Sequence, residues 1–382
     1  MFLKIKNSFV FFALVIISCV ACASSKKNNE SSTANQTDSS SDSESSDTTQ
    51  TDSFFDTEIA DELTGNERIP ETNFVHISDG SFIFGSPTER PCRAPLIEIE
   101  TSVTLTHSFL IAEAEISQHE WQALDLPNPS KNVGENKPVT FISFYEAAVW
   151  CNKLSKMEGY DTCYDFSNCT GHAGSGYPDG MEQSDELSSW NSNYNFNCPS
   201  DIHKFNNYYS CPGYRLPTTA EWEYAAKAGT TSHTYGGDVH YTALSYCEDE
   251  PALNDIAWYC FNSGDTLHPV KQKLPNPWGL YDILGNVYEW TDFWSDGQSL
   301  DGTNQPSDVV LVDPQGPTIG RRKDLRGGKF KLTGCYTSPS YQSGDYPYAK
   351  RYDSGFRPVR TLFEETSTDS DSSTDSTTDS AD

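Results

Sequence analysis

The sequence of 382 residues predicts an α+β domain with low regular secondary structure, at about residues 67–363 between two polar ends. Three segments open with a capping box, in which a Ser or Thr and a Glu three residues later satisfy backbone groups at a helix start. Short segments of alternating or clustered apolar residues indicate strands. Long stretches rich in Gly, Asn, Asp and Cys match neither period, so these loops need covalent or ionic support.

Strand-like segments lie at both ends of the domain, at residues 74–77, 81–85, 102–111, 325–330 and 354–362. The first two flank Asp79-Gly80, a dipeptide typical of hairpin turns, so we expect them to pair with each other. The segment at 354–362 is expected to be the strand that closes the fold.

The three capping boxes pair Ser117 with Glu120, Ser143 with Glu146, and Thr218 with Glu221. They predict helices that end near residues 124, 159 and 229. Apolar residues at helical spacing follow the second box, at Ala147, Trp150, Cys151, Leu154 and Met157. The third helix carries Trp222, Ala225 and Ala226 on one face. We interpret both sets as core rather than catalytic, because their spacing is that of a buried helix face.

Residues 160–212 form a long insert with little periodicity. A loop of this length within a domain is expected to be stapled, and its four cysteines, Cys163, Cys169, Cys198 and Cys211, predict two disulfides. The sequence does not choose among the three possible pairings. Cys247 and Cys260 bracket another irregular segment and are candidates to close it.

The segment at 275–294, PNPWGLYDILGNVYEWTDFW, is too rich in Gly, Pro and Asn for a plain helix or strand. It brings Asp282, Asn286 and Glu289 together around a tight turn. Side-chain oxygens and inward carbonyls on a short irregular loop suit a hard cation, calcium first. The alternative is that the polar residues hydrogen-bond the turn itself, above packed aromatic side chains.

The first 22 residues have the basic, apolar and small-residue regions of a secretory signal. Ile16-Ile17-Ser18-Cys19 resembles a bacterial lipobox, with Cys22 as a second candidate for lipidation and plain cleavage as the alternative. We therefore expect an exported lipoprotein on the cell envelope, or a secreted protein. Its contact with the membrane would be through the lipid anchor alone.

Residues 23–66 and 364–382 are rich in Ser, Thr and Asp and nearly free of apolar residues, so we expect a disordered tether and a disordered acidic tail. The formal net charge is −29. The chain has no basic stripe that would neutralise phosphates, which argues against nucleic acid as a partner.

Five motifs follow one another along the chain: GYRLP at 213–217 leading into EWEYAA at 221–226, HPV at 268–270, GLYDILGNVYEW at 279–290, RGG at 326–328 and GFR at 355–357. Their order and spacing resemble the sulfatase-modifying factor family, whose founding member is the formylglycine-generating enzyme. The resemblance covers about residues 74–362. It implies the irregular fold of that enzyme, which is related to C-type lectins and is supported by calcium and disulfides.

The resemblance also implies an activity, the oxidation of a cysteine in a sulfatase to formylglycine with oxygen and copper(I). The family places a Ser directly after Gly-Gly and two copper-binding cysteines further on. Those places hold Lys329, Leu332 and Thr337 here. Cys335 lies two residues before the last of them, and a two-residue deletion would align it, which makes Cys335 the candidate catalytic thiol and copper a candidate cofactor.

Nine cysteines lie outside the signal region, so at least one is unpaired in a monomer. Either Cys335 is the free thiol, or Cys151 is buried and free on its helix while Cys335 forms a disulfide, with Cys92 as one candidate partner. The sequence leaves both alternatives open.

For calcium, the family uses an Asn or Asp side chain, two backbone carbonyls and a Glu side chain. The resemblance carries these roles onto Asp282, Gly285, Val287 and Glu289 without a gap.

Two functions follow as hypotheses. The first is an oxidase of this family that acts on a sulfatase or another protein or peptide. The second is a catalytically degenerate, surface-tethered binding module that uses the same cleft. In either case we expect a monomer.

Overall fold

The computed structural model describes residues 72–174, 196–198, 201–240, 246–295, 299–300, 302–303 and 308–363. All of them belong to one structural unit, Glu58–Asp382. The predicted signal segment, tether and acidic tail lie outside the described residues. No helix in the described ranges combines the length and apolar character that a membrane span requires.

Four short α-helices lie in the described ranges: α1 Gln118–Gln122, α2 Phe144–Met157, α3 Thr219–Lys227 and α4 Pro251–Asn254. The strands there are β1 Phe74–Ile77, β2 Gly80–Phe84, β3 Thr101–Leu105, β4 Phe109–Ala112, β5 Thr170–Gly171, β6 Phe196–Asn197, β7 Tyr214–Arg215, β8 Tyr288–Trp294, β9 Leu311–Val312, β10 Lys323–Arg326, β11 Ser343–Asp345, β12 Ser354–Gly355 and β13 Val359–Thr361. Most strands have five residues or fewer, which agrees with the predicted α+β fold of low regular structure.

The strands form sheets in the orders β1-β4-β13-β7, β11-β10-β8-β12, β2-β3-β9 and β5-β6. The predicted hairpin between the first two strands is wrong, because β1 pairs with β4 and β2 pairs with β3. The connection between β1 and β2 meets the connection between β3 and β4, where the backbone N–H of Asp79 donates to Ser108 Oγ at 3.2 Å. The Asp79-Gly80 dipeptide is therefore a corner between two sheets.

All three predicted capping boxes are confirmed, at Ser117, Ser143 and Thr218. Most of the predicted apolar face of α2 is fully buried, including Trp150 and Cys151. Met157 is the exception, since its side chain is 47% exposed at the last residue of the helix. The last turn of the helix therefore extends beyond the hydrophobic core.

The segment at 275–294 divides into an irregular half and a strand. Gly285 and Asn286 have φ of 84° and 49°, and a Cβ on Gly285 would lie 2.3 Å from the carbonyl oxygen of Trp258. The irregular prediction therefore describes residues 275–287. It is wrong for the last seven residues, which form β8 between β10 and β12.

The predicted staples are confirmed, and the structure gives their pairing. Cys163 bonds to Cys211, Cys169 to Cys198 and Cys247 to Cys260. A fourth disulfide joins Cys92 to Cys335 across 243 residues. Cys151 is the free, buried cysteine of the described part of the chain.

An ionic cluster ties the insert to the core. The His203 imidazole bonds to the Asp201 carboxylate through Nδ1 and to Asp292 of β8 through Nε2, the latter at 2.6 Å. Lys323 Nζ donates to the same Asp292 at 2.7 Å, and the Tyr164 hydroxyl does so at 3.2 Å. Burial opposes protonation of His203, but Asp292 and Asp201 outweigh it, so the pKa of His203 is raised.

We expect the contribution of His203 to stability to fall as pH rises. A histidine with a raised folded pKa stabilises fully below its unfolded value of about 6.5 and loses this contribution as pH passes its folded value. The Tm advantage of the wild type over His203→Gln should therefore be larger at pH 5.5 than at pH 9. His119→Gln, at an exposed histidine of α1, is the control. A difference that does not change with pH would contradict this assignment.

Candidate functional site

The turn before β8 holds a cluster of buried carboxylates at the predicted calcium position. Asp282 and Glu289 are both 1% exposed, and Glu115, which precedes α1, is also 1% exposed. Asn286 Nδ2 and the backbone N–H of Val287 donate to the two oxygens of Glu115, at 2.7 and 3.0 Å. The strands and the turn therefore bring three acids together with their backbone donors.

Arg357 of the GFR motif neutralises one of these acids. Its Nε and Nη2 donate to the two oxygens of Glu289, each at 2.7 Å, and Trp222 Nε1 donates at 2.6 Å. Nη2 also reaches the carbonyl oxygen of Tyr281 at 2.9 Å. Glu289 is thus fully engaged by a bidentate ion pair.

Asp282 has a different environment. Its Oδ2 accepts from the backbone N–H of Lys271 at 2.6 Å, whereas its buried Oδ1 has no hydrogen-bond partner among the described residues. Burial raises the pKa of Asp282 to about 6, and the nearby charge of Glu289 adds to the shift. Burial and the charges of Asp282 and Glu289 likewise raise the pKa of Glu115.

The predicted calcium ligands therefore differ in how well they fit a cation. The free oxygen of Asp282 fits, since a hard cation would satisfy it and reduce the excess of negative charge. Glu289 does not fit, because Arg357 and Trp222 occupy its oxygens. In the described part of the chain, no group of three or more His, Cys, Asp or Glu residues is arranged to hold a metal ion.

Glu115 was not among the predicted site residues. It lies 171 residues before Asn286, to which it is hydrogen-bonded. The available signal was local, since Glu115 is one of two acids that alternate with apolar residues in the run Ile111-Ala-Glu-Ala-Glu-Ile116. Such an acid is costly to bury unless it has partners.

The predicted copper position has no thiol in this structure. The sulfur of Cys335 is bonded to that of Cys92, and Leu332 and Thr337 occupy the aligned positions of the two copper-binding cysteines. Copper(I) favours soft thiolate or thioether ligands, and a disulfide supplies no thiolate. The residues present do not fit copper, and Cys335 could act as a thiol only after reduction.

Lys329, which follows Gly-Gly where the family has Ser, is directed inward. Its ammonium donates to Asp353 at 2.5 Å and lies 5.4 Å from the ring centroid of Tyr288. The side chain is largely buried.

The segment after Lys329 is rich in tyrosine. It contains Tyr336, Tyr341, Tyr346, Tyr348 and Tyr352, all partly exposed, which we call the tyrosine cluster. Tyr336 and Tyr341 meet edge to face with centroids 4.9 Å apart, and Tyr346 and Tyr348 stack at 5.3 Å and 9°. Ser338, Ser340, Ser343 and Gly344 are interspersed. None of the five sequence motifs includes this segment.

The same part of the chain is basic. Residues 321–352 contain eight Lys or Arg and two Asp, in a chain with net charge −29. Three of the eight are buried against single carboxylates, in the pairs Lys323–Asp292, Lys329–Asp353 and Lys350–Glu146. Arg321 and Arg322 are exposed.

The family model described as the Sulfatase-modifying factor enzyme 1-like domain matches residues 60–362. The Chaperone protein LppX of Paenibacillus barcinonensis is 31% identical over 202 residues, or 51% of this chain and 65% of that protein. The formylglycine-generating enzyme of Mus musculus is 31% identical over 142 residues, or 35% of this chain and 34% of that protein. The matches thus span less than two thirds of either relative.

Among solved structures, Treponema denticola variable protein 1 is 28% identical with a TM-score of 0.55, covering 76% of this chain and 95% of that one. PvdO from Pseudomonas aeruginosa is 18% identical with a TM-score of 0.51, covering 76% and 94%. Together with the family match, these likenesses confirm the fold that the sequence motifs predict.

Proposed function

Because the chain belongs to the sulfatase-modifying factor family, we propose that it keeps the family scaffold and uses it as a binding module for a protein partner. The observation that carries this proposal is the state of Cys335, which is bonded to Cys92 where an oxidase of this family would need a thiolate. Leu332 and Thr337, at the aligned cysteine positions, offer no soft ligand in its place.

The tyrosine cluster supplies the binding surface in this proposal. Tyrosine gives a large contact area with few rotatable bonds, and the partly exposed Ser343 and Gly344 beside Tyr341 and Tyr346 give adaptable hydrogen bonding. Tyr and Arg are also the residues that contribute most binding energy in protein interfaces. The ring contacts within the Tyr336–Tyr341 and Tyr346–Tyr348 pairs order these side chains before a partner arrives, which lowers the entropic cost of binding.

A peptide selection tests the proposal. Random peptides would be selected on the purified wild-type protein alone, and the enriched peptides would then be measured against a Tyr336→Ala/Tyr346→Ala variant. We expect enriched peptides that bind the wild type at least tenfold more tightly than the variant. Lys153→Gln/Lys156→Gln, which alters the surface of α2 only, is the control and should bind them normally. Enriched peptides that bind the variant equally would overturn the tyrosine surface.

The oxidase hypothesis is tested in parallel. Members of the family act on sulfatases, so a Cys-x-Pro-x-Arg peptide would be incubated with the protein, copper(I), oxygen and a thiol reductant. Mass spectrometry would look for the conversion of cysteine to formylglycine, with Cys335→Ala as the control. We expect no conversion. Conversion that disappears in the control would instead make Cys335 a catalytic thiol released by reduction.

We also propose that the domain is exported and tethered through a lipidated Cys19 or Cys22. The four disulfides support export, because disulfides persist in oxidising compartments outside the cytosol and are rare within it. A surface-tethered domain would present its tyrosine cluster to partners outside the cell. Radiolabelled palmitate incorporation, lost in a Cys19→Ser or a Cys22→Ser variant, would identify the anchor.

We also propose that calcium binds at Asp282, with the backbone carbonyls of Gly285 and Val287 as further ligands. Glu289 is not a ligand in this proposal, because it stays paired with Arg357. We expect millimolar calcium to raise the Tm, because an ion that binds only the folded state stabilises it by about 2.7 kcal/mol at a hundred times its Kd. The rise should vanish in Asp282→Ala. It should persist in Asp238→Asn, whose carboxylate is exposed. An equal rise in the Asp282 variant would refute the assignment.

A further inference from the structure

Two arginines and two tyrosines meet at an edge of the sheet β11-β10-β8-β12. Arg321 and Arg322 directly precede β10, and Tyr346 and Tyr348 follow β11, which is the edge strand of that sheet. Lys323 of β10 lies opposite Asp345 of β11 in the antiparallel register, so the flanking residues are brought side by side. We call these four residues the arginine–tyrosine corner.

The corner is held together by contacts among its own side chains. The guanidinium of Arg322 lies 5.6 Å from the ring centroid of Tyr346, and Arg321 Nη2 lies 3.4 Å from the Tyr346 hydroxyl. Tyr346 in turn stacks on Tyr348. A guanidinium placed against an aromatic ring is partly ordered and weakly hydrated, so less entropy is lost when it binds a ligand.

The charge of the corner contrasts with the rest of the protein. Both arginines are exposed, while the neighbouring Asp345 is paired with Arg351 at 3.2 Å. The chain as a whole carries −29 and repels acidic partners at long range. Close to the corner, however, a carboxylate meets two guanidiniums that can bind it in bidentate geometry and a tyrosine hydroxyl that can donate to it.

From this arrangement we propose that the arginine–tyrosine corner is the subsite that selects a partner segment rich in Asp and Glu. The inference rests on the proposed function and specifies its partner class. The two guanidiniums bind the carboxylates, and the stacked tyrosines pack against the adjoining backbone. Because the whole chain is acidic, recognition is short-ranged and depends on this corner rather than on overall attraction.

The test compares two twelve-residue peptides, one with six Glu and one with Gln at the same positions, by fluorescence anisotropy. We expect the wild-type protein to prefer the acidic peptide at least tenfold in 150 mM salt, where the long-range repulsion from the acidic chain is largely screened and the direct contacts with the arginines persist. Arg321→Gln/Arg322→Gln should reduce this preference to within twofold. Lys153→Gln/Lys156→Gln removes the same charge from α2 and should preserve it.

The outcomes separate this inference from the proposed function. If peptides selected on the tyrosine cluster bind but the acidic and Gln peptides bind equally, the corner is not an acidic subsite, although the binding module stands. An unchanged preference in the double arginine variant would also overturn the inference. Binding of a sulfated oligosaccharide that the acidic peptide fails to displace would assign the corner to an anionic glycan instead.

Discussion

Replacing Arg357 with methionine is expected to destabilise the domain by about 3–5 kcal/mol, the usual cost of leaving one partner of a buried ion pair alone. Arg357 is fully buried and provides both hydrogen bonds of its bidentate pair to Glu289. It also donates to the carbonyl oxygens of Ala112 and Tyr281. Methionine fills similar space but leaves a buried charge beside Asp282 and two carbonyls without their donor.

Urea unfolding monitored by tryptophan fluorescence would measure the loss. The double variant Glu289→Gln/Arg357→Met is the matched comparison, because it also removes the Glu289 charge that the single variant leaves buried without a partner. We expect it to recover part of the lost stability, as a double-mutant cycle on a coupled pair should. A loss below about 1 kcal/mol in the single variant would mean that the pair is not what holds β8 to the GFR segment.

The helices were the part of this fold that the sequence predicted best. A capping box is a local signal, because Ser143 and Glu146 lie one turn apart and complete each other within the same segment. Its strength does not depend on distant contacts, and all three boxes are present in the structure. The exposure of Met157 at the end of α2 could not be predicted from such a local signal, because it depends on which residues pack beyond the helix.

Strand partners could not be predicted in this way. β1 pairs with β4, which lies more than thirty residues later in the sequence. β13, from the C-terminal end of the domain, inserts between β4 and β7. The Asp79-Gly80 signal was real as a turn. It did not specify whether the turn joins two strands of one sheet or passes between sheets, because that choice is made by tertiary packing.

The predicted metal site had the same weakness. Asp282 and Glu289 were found from their spacing in one segment, and both are buried there. The groups that decide their roles, Arg357 and Glu115, come from segments 68 residues later and 167 residues earlier than Glu289 and Asp282. A motif reveals which residues gather at a turn, whereas the partners that complete or compete for a ligand depend on the whole fold.

Removing the Cys92–Cys335 disulfide should have the other large effect, on both stability and binding. In the chain-entropy description, closing a loop of more than 200 residues contributes roughly 5 kcal/mol, against roughly 3 kcal/mol for a loop of about 15. The bond anchors the 3₁₀ turn Gly334–Tyr336, and Arg90, itself paired with Glu98 at 2.7 Å, reaches the Cys335 carbonyl at 3.4 Å.

The variant Cys92→Ser/Cys335→Ser is therefore expected to unfold at lower urea and to lose at least tenfold in affinity for peptides selected on the tyrosine cluster, because Tyr336 is no longer held. Cys247→Ser/Cys260→Ser removes a disulfide that spans 13 residues, and should cost less stability and leave peptide binding intact. This comparison separates general destabilisation from loss of the binding surface. Equal binding by both variants would mean that the turn keeps its shape without the bond, and that the disulfide contributes only to the stability of the fold.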